Sequence, residues 1–390
     1  MSGIRISLPE IKSMSLYKHK KEKMKLELDA PNIGALEKMY INKALDSGYV
    51  STVGPLVSEF EDKFAQYLGV KNAVSTQSGT AAIHIALYEL GIGKGDEVIV
   101  PALTFVATVN PVVYVGAKPV FVDVDIGTWN MSSKEVEKAI TKKTKAIIPV
   151  HLYGNPCRMD EIVKIAKKYD LFVIEDATES LGAKYKGKFT GTWGDIGCFS
   201  FNGNKIITTG GGGMVAGNDV KKLKHIKFLV NQARDNSDGY YHSEIGFNYR
   251  MTNIEAALGI AQLSKLDKFL KLKETFNRIY KKEFMKLKFM KFQKEYPESK
   301  SSYWLTSCII EKDIDTPKFQ NELRMRGIQS RRLFMPIVEL PPYRKYKKSG
   351  YPNSYYIYKS GISFPSSTLN GCLFIKKAAS VIKNLLQNCD

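Results

Sequence analysis

Lys205 stands in a setting that lysine rarely occupies. The run Ser200-Phe201-Asn202-Gly203-Asn204-Lys205-Ile206-Ile207-Thr208-Thr209, followed by Gly210 to Gly213, places one ammonium between small polar residues, an apolar pair and a turn-forming stretch. A lysine seldom leaves water without a partner. Shielding favours its neutral form and lowers its pKa, which makes the amine a nucleophile that can form a Schiff base with a carbonyl. The segment predicts an aldimine-forming lysine.

Other positions along the chain fit the same chemistry. Gly79-Thr80 opens a helix, Phe105 follows Pro101-Ala102-Leu103-Thr104, Asp176 follows an apolar strand, and Ser200 lies five residues before Lys205. A pyridoxal 5'-phosphate site calls for all of these. Its phosphate needs backbone N–H groups and hydroxyls at a helix N-terminus, which Gly79, Thr80 and Ser200 can supply. Its ring needs a flat apolar partner, a task for Phe105, and its nitrogen needs a carboxylate, a task for Asp176. A carboxylate at contact distance favours the charged ring by roughly 1 to 3 pKa units, or about 1.4 to 4 kcal/mol. Each residue also has a plainer reading: Phe105 as core, Asp176 as a helix cap, Thr80 as a helix-start residue, and the glycine run as a loop or tight turn. The glycines lack the GxxxxGK[ST] and GxGxxG spacings of nucleotide loops. It is the combination, in this order along the chain, that favours the cofactor site.

These residues need a scaffold, and the hydrophobic pattern predicts one. Leu56, Phe60, Phe64 and Leu68 recur every four residues, as in an amphipathic helix. A short strand at Ala73-Val74-Ser75 and a helix from Ala81 to Leu90 follow. Apolar runs at 97–100, 119–122, 146–150 and 171–174 then alternate with helical segments, which predicts an α/β fold with a mostly parallel sheet flanked by helices. Ligands of such sheets gather at the C-terminal strand edge, where Asp176 falls. Beyond Met214 helices dominate, at 221–230 and from Asn253 to about Lys288, before a Gly327-Ile328 strand region and a last helix at 376–386. The expected division is a basic N-terminal arm (1–27), a large cofactor-binding domain (28–275) and a smaller C-terminal α/β domain (276–390).

With 390 residues, 44% of them hydrophobic, the chain can bury a large core. No apolar run is long enough for a membrane span and no signal-peptide pattern is present, so a soluble, cytoplasmic protein is expected. The five cysteines, Cys157, Cys198, Cys308, Cys372 and Cys389, lack CxxC spacing and predict free thiols with no metal site. The net charge of +19 fits anionic small substrates, nucleic acid or a membrane surface. Much of it lies at Lys18 to Lys23 and at Lys265 to Lys294. The second run reads as the wet face of an amphipathic helix, and no nucleic-acid-binding signature accompanies either.

At this point the chain resembles a known family, the pyridoxal-phosphate sugar aminotransferases of the DegT/DnrJ/EryC1/StrS group, over residues 28 to 390. The resemblance rests on Ser78-Gly79-Thr80-Ala81-Ala82-Ile83-His84, Leu103 to Thr108, His151-Leu152-Tyr153-Gly154, Ile174-Glu175-Asp176-Ala177, Ser200 to Thr209 and Gly246 to Asn253. It implies the fold-type I aminotransferase architecture, with Lys205 carrying the internal aldimine, Asp176 on the ring nitrogen and Phe105 on the ring. Gly79, Thr80 and Ser200 would hold the phosphate, and Glu179 would lie near the ring hydroxyl. Asn248 and Arg250 would reach the neighbouring subunit's cofactor, with Arg250 on its phosphate, so a homodimer with shared active sites is implied. Within the group, Tyr49 to Gly54, Asn248 to Asn253 and Ser330 to Pro336 are most similar to GDP-perosamine synthase-like 4-aminotransferases. Arg332 stands where relatives usually have proline, and Val338 near a usual histidine.

The resemblance implies ping-pong transfer of an amino group from L-glutamate to a nucleotide-linked 4-keto-6-deoxy sugar, in bacterial surface polysaccharide or glycoconjugate synthesis. A 3-aminotransferase would share fold and cofactor. A dehydratase of the same group would carry histidine in place of Lys205. A non-enzymatic protein binding nucleic acid or membrane through its basic arm would carry no yellow cofactor.

Overall fold

Seven strands build the larger sheet, in the order Asn72–Thr76, Gly213–Gly217, Ile196–Ser200, Phe172–Asp176, Thr144–Ile147, Glu97–Pro101, Lys118–Val122. The computed structural model describes residues 25–235, 239–348 and 350–387. Within the sheet, Phe172–Asp176 pairs parallel to both neighbours, and Glu97–Pro101 likewise. Only Gly213–Gly217 runs antiparallel, between Asn72–Thr76 and Ile196–Ser200. The mostly parallel expectation is met, and the exception has a local cause. Residues 201–212 link it to the strand that ends at Ser200, and the bridges Asn202–Gly210 and Thr209–Gly211 fold that link back so that the chain returns beside its own strand.

Helices cover the sheet where the periodicity places them. Pro55–Leu68 starts with proline in its first turn and stops at Gly69, whose φ of 69° ends the helix in the left-handed conformation. Leu56, Phe60, Phe64 and Leu68 are its buried face, and Phe64 meets Phe199 and Phe201 edge-on at 5.0 and 5.5 Å. Helix Gly79–Glu89 is buried along most of its length, from Gly79 to Leu87 except Thr80, and Ser78 caps it by accepting the Ala81 N–H at 3.1 Å. The helix expected from Asn253 to about Lys288 is two helices, Asn253–Leu263 and Leu266–Phe284. The first begins in a reciprocal Thr252/Glu255 capping box.

A second, four-stranded sheet follows, ordered Met290–Phe292, Thr306–Ile310, Gly361–Phe364, Arg331–Arg332, all antiparallel. Helices Leu266–Phe284 and Cys372–Gln387 pack together beside it around Phe276, Tyr280, Phe284, Ile375 and Ile382. Leu266–Phe284 runs unbroken across residue 275 and so links the two sheets. Its lysines are not all on the wet face. Lys273 is buried, donating to Asp29 Oδ1 at 2.9 Å and to the carbonyls of Trp304 and Ser366 at 2.9 and 3.0 Å.

Gly327 and Ile328 do not form a strand of their own. Instead Leu26 donates to the Gly327 carbonyl at 2.8 Å, and Gln329 donates back to the Leu26 carbonyl at 3.2 Å. The backbone groups expected to join a sheet are satisfied by the start of the described chain. Of the expected basic arm, residues 1–24, including Lys18 to Lys23, lie outside the described residues, as does Cys389. Cys157, Cys198, Cys308 and Cys372 are free thiols. Among the described residues, no helix is long and apolar enough to cross a membrane.

Candidate active site

The C-terminal edge of the larger sheet opens into a cavity of about 270 Å³. Seven of the residues expected at the site line it together: Gly79, Thr80, Phe105, Asp176, Glu179, Ser200 and Lys205. They come from four separate places in the chain. The strand order brings Ser200 and Asp176 to adjacent strand ends and sets the start of helix Gly79–Glu89 against them.

Asp176 ends its strand, and its carboxylate is held from both sides. Thr108 Oγ1 donates to Oδ2 at 2.7 Å, while the Thr178 N–H and Oγ1 reach Oδ1 at 3.1 and 2.7 Å. A buried carboxylate so bound is aimed, with its charge supported, and it faces the cavity. Strand alternation sends the preceding Glu175 to the opposite side. There it accepts N–H groups of Gly191, Trp193 and Gly194. His151 Nδ1 accepts the Cys157 N–H at 3.0 Å, so the other ring nitrogen carries the proton and donates to Glu175 at 3.1 Å. One carboxylate of the pair braces a loop and the other faces the cavity.

Opposite Asp176, the missing side chain of Gly79 makes room. A Cβ there would lie 2.8 Å from Ser200 Cβ and 3.0 Å from Thr178 Cγ2. The result is a pocket at a helix N-terminus edged by the hydroxyls of Thr80 and Ser200, a setting suited to an anion. The glycine run closes its rear wall. Gly212 has φ of 88°, and a Cβ on Gly213 would stand 2.5 Å from the Ser78 carbonyl carbon. The run is therefore a tight turn with close backbone approach, as one of its sequence readings held.

Lys205 lies between these two features. Its N–H closes a turn onto the Asn202 carbonyl at 2.9 Å, and its side chain is 12% exposed. The ammonium sits 4.1 Å from the centre of the Trp304 ring and 4.0 Å from Glu179 Oε1. Burial pushes its pKa below the usual lysine value, against the pull of Glu179 and Asp176. Burial likewise pushes Glu179 up to about 7, with Lys205 opposing. Such an amine gives up its proton more readily than a solvated lysine and can then attack a carbonyl.

The remaining wall is aromatic. Tyr153 lies parallel to Trp304 and to Phe334, with ring centres 6.1 and 5.3 Å apart. Its hydroxyl accepts the Phe334 N–H at 3.1 Å, and its own N–H holds Glu179 Oε2 at 2.8 Å. Phe105 continues the series 5.6 Å from Phe334 and is 51% exposed. An apolar ring left so open at a cavity mouth is a surface for a flat ligand.

Asn248 and Arg250 do not line this cavity. They lie on the loop before helix Asn253–Leu263, where Tyr249 accepts the Gln77 N–H at 2.7 Å, and the Nε of Arg250 is buried without a partner. Burial and the nearby Arg234 hold the Arg250 pKa below its usual value. Two substitutions flagged in the sequence also fall elsewhere: Arg332 turns its guanidinium over Tyr358 at 4.5 Å, and Val338 is core. Arg331 does line the cavity, 5.6 Å from the Trp304 ring. Thr108, Thr178, Trp304 and Arg331 had no role in the sequence reading.

The donor set fits pyridoxal 5'-phosphate: a helix N-terminus that Gly79 lets pack directly against Ser200, a buried carboxylate held ready for a ring nitrogen, and a shielded amine in the same cavity. Fold and cavity together fit an aminotransferase on a mostly parallel α/β scaffold. The chain belongs to the DegT/DnrJ/EryC1/StrS aminotransferase family, whose sequence pattern matches residues 31–371, and its cofactor is pyridoxal 5'-phosphate. It is 45% identical over 337 residues to a GDP-perosamine synthase of Escherichia coli O157:H7, covering 86% of this chain and 92% of the relative. A GDP-perosamine synthase of Vibrio cholerae is 39% identical over 362 residues, covering 92% and 98%. Among solved structures, one from Streptococcus pneumoniae assigned as a sugar aminotransferase, in its PLP form, superposes with a TM-score of 0.89. Its identity is 28%, over 93% of this chain and 99% of that one.

Proposed function

We propose that this enzyme moves the amino group of L-glutamate to C4 of a nucleotide-linked 4-keto-6-deoxy sugar, in the manner of a GDP-perosamine synthase. The observation that carries the reading is the likeness to GDP-perosamine synthases over most of both chains, joined to the cavity around Lys205. A cytoplasmic place in surface-polysaccharide or glycoconjugate synthesis accords with it.

Asp176 would hold the ring nitrogen, Phe105 one ring face, Glu179 the ring hydroxyl, and Gly79, Thr80 and Ser200 the phosphate. When bound, the cofactor supplies an electron sink for the carbon that gains or loses the amine. Lys205, whose pKa burial lowers, would take the proton from that carbon and return it on the way back. Trp304 and Phe334, backed by the buried Tyr153 ring, limit the access of water to the Lys205 amine. Asn248 and Arg250 do not line their own cavity, which accords with a homodimer in which they complete the partner's phosphate site. Residues 28–275 and 276–390 would then act as the large and small domains of each subunit.

The test is turnover of matched nucleotide-linked 4-keto and 3-keto sugars with glutamate. Amination of the 4-keto sugar, with parallel double-reciprocal lines, is the expected result. Exclusive use of the 3-keto sugar would overturn the position assigned.

A further inference from the structure

Three carboxylates surround Lys205, and they differ in what else holds them. Asp176 takes hydrogen bonds from Thr108 and Thr178 at both oxygens. Asp29, from the start of the described chain, is tied to Lys273 at 2.9 Å. Glu179 alone points an oxygen at Lys205: Oε2 accepts the Tyr153 N–H, and Oε1 stands 4.0 Å from the ammonium. Both side chains are buried, at 3% and 12% exposure. Among the described residues lining this cavity the further charge is the Arg331 guanidinium, 5.6 Å from the centre of the Trp304 ring, which disfavours charge on Lys205.

At this range and burial water screens two opposite charges far less than at the surface, so each shifts the other's proton. We propose that Glu179 and Lys205 hold one proton between them, and that Glu179 thereby sets the pH at which the Lys205 amine is free to meet a carbonyl. With Glu179 ionised, the ammonium is retained. With the proton on Glu179, the amine is neutral and nucleophilic. Glu179 is thus a positioning residue for a proton, acting through Lys205. Burial moves Lys205 down and Glu179 up, and each opposes the shift of the other by favouring its partner's charged form. The inference rests on the reading of Lys205 as the carbonyl-binding lysine.

The sign of the test follows from the charges. Glu179→Gln keeps an oxygen for the Tyr153 N–H but removes the anion, so burial and Arg331 act on Lys205 with less opposition. Cofactor-free full-length protein is mixed with pyridoxal 5'-phosphate between about pH 5 and 10, and the visible absorbance of the lysine adduct is recorded. In E179Q the midpoint of adduct formation should fall by about 1 pH unit or more, the size of an opposite-charge effect at contact range. Glu179→Asp, which retains an anion, should shift it less. A change that only loosened the fold would alter the amount of adduct and leave the midpoint in place. Coincident midpoints for wild type, E179Q and E179D would overturn the shared proton while leaving Lys205 as the reacting amine. No adduct in wild type at any pH would overturn both.

Discussion

Thr108→Val tests how Asp176 is aimed, with little change of shape. In the structure Thr108 Oγ1 donates to Asp176 Oδ2 at 2.7 Å, and Thr104 Oγ1 lies 2.8 Å from Thr108 Oγ1. Because the Thr108 proton is committed to the carboxylate, Thr104 must be the donor of the second bond. All three residues are buried. Valine removes the donor from one charged oxygen and the acceptor from Thr104. A hydrogen bond to a charged group is worth about 1.5 to 3 kcal/mol, roughly a 10- to 100-fold change in an equilibrium constant. Thr108→Ser keeps the hydroxyl and loses only a methyl, at about 0.8 kcal/mol. Equilibrium urea denaturation of the cofactor-free protein should place T108V below T108S by about 1 to 2 kcal/mol. Equal stability of the two variants would refute the clamp, because the hydroxyl would then contribute nothing beyond its bulk.

Two further expectations concern the cradle and the support of Trp304. Gly79→Ala forces a Cβ to within 2.8 Å of Ser200 Cβ; overpacking of about 1 to 3 kcal/mol should weaken pyridoxal 5'-phosphate binding roughly 5- to 100-fold in a fluorescence titration. Lys273→Met leaves Asp29 buried without its counter-ion and should cost about 3 to 5 kcal/mol in denaturation, whereas K273M combined with Asp29→Leu should recover most of that loss.

Much of this site was legible because strand ends are legible. An apolar run closed by Asp176, and a Gly-Thr pair opening a helix, must meet at one edge of a parallel sheet, so Gly79, Thr80, Asp176, Ser200 and Lys205 could be joined from the sequence before any geometry. Phe105 followed for the same reason. The aromatic wall could not be read in this way. Trp304 reaches Lys205 only through the docking of the small sheet, fixed by Leu266–Phe284 and by the buried Lys273, which pattern alone places on a wet face. The left-handed Tyr153, at φ 54°, is equally unforeseeable, since its unusual backbone is required by two contacts distant in sequence: its N–H to Glu179 and its hydroxyl to Phe334. The strand expected at Gly327-Ile328 failed because its hydrogen bonds go to Leu26, a partner some three hundred residues away.

Peptide mapping of the reduced adduct tests the account most directly. Treating the yellow holoenzyme with borohydride locks the cofactor onto the amine that carries it, and mass spectrometry of the digest then locates that amine. The account predicts the cofactor's mass on the peptide containing Lys205, and a colourless Lys205→Ala protein with no labelled peptide. Label on a different lysine, or a K205A protein that remains yellow and turns over normally, would contradict it.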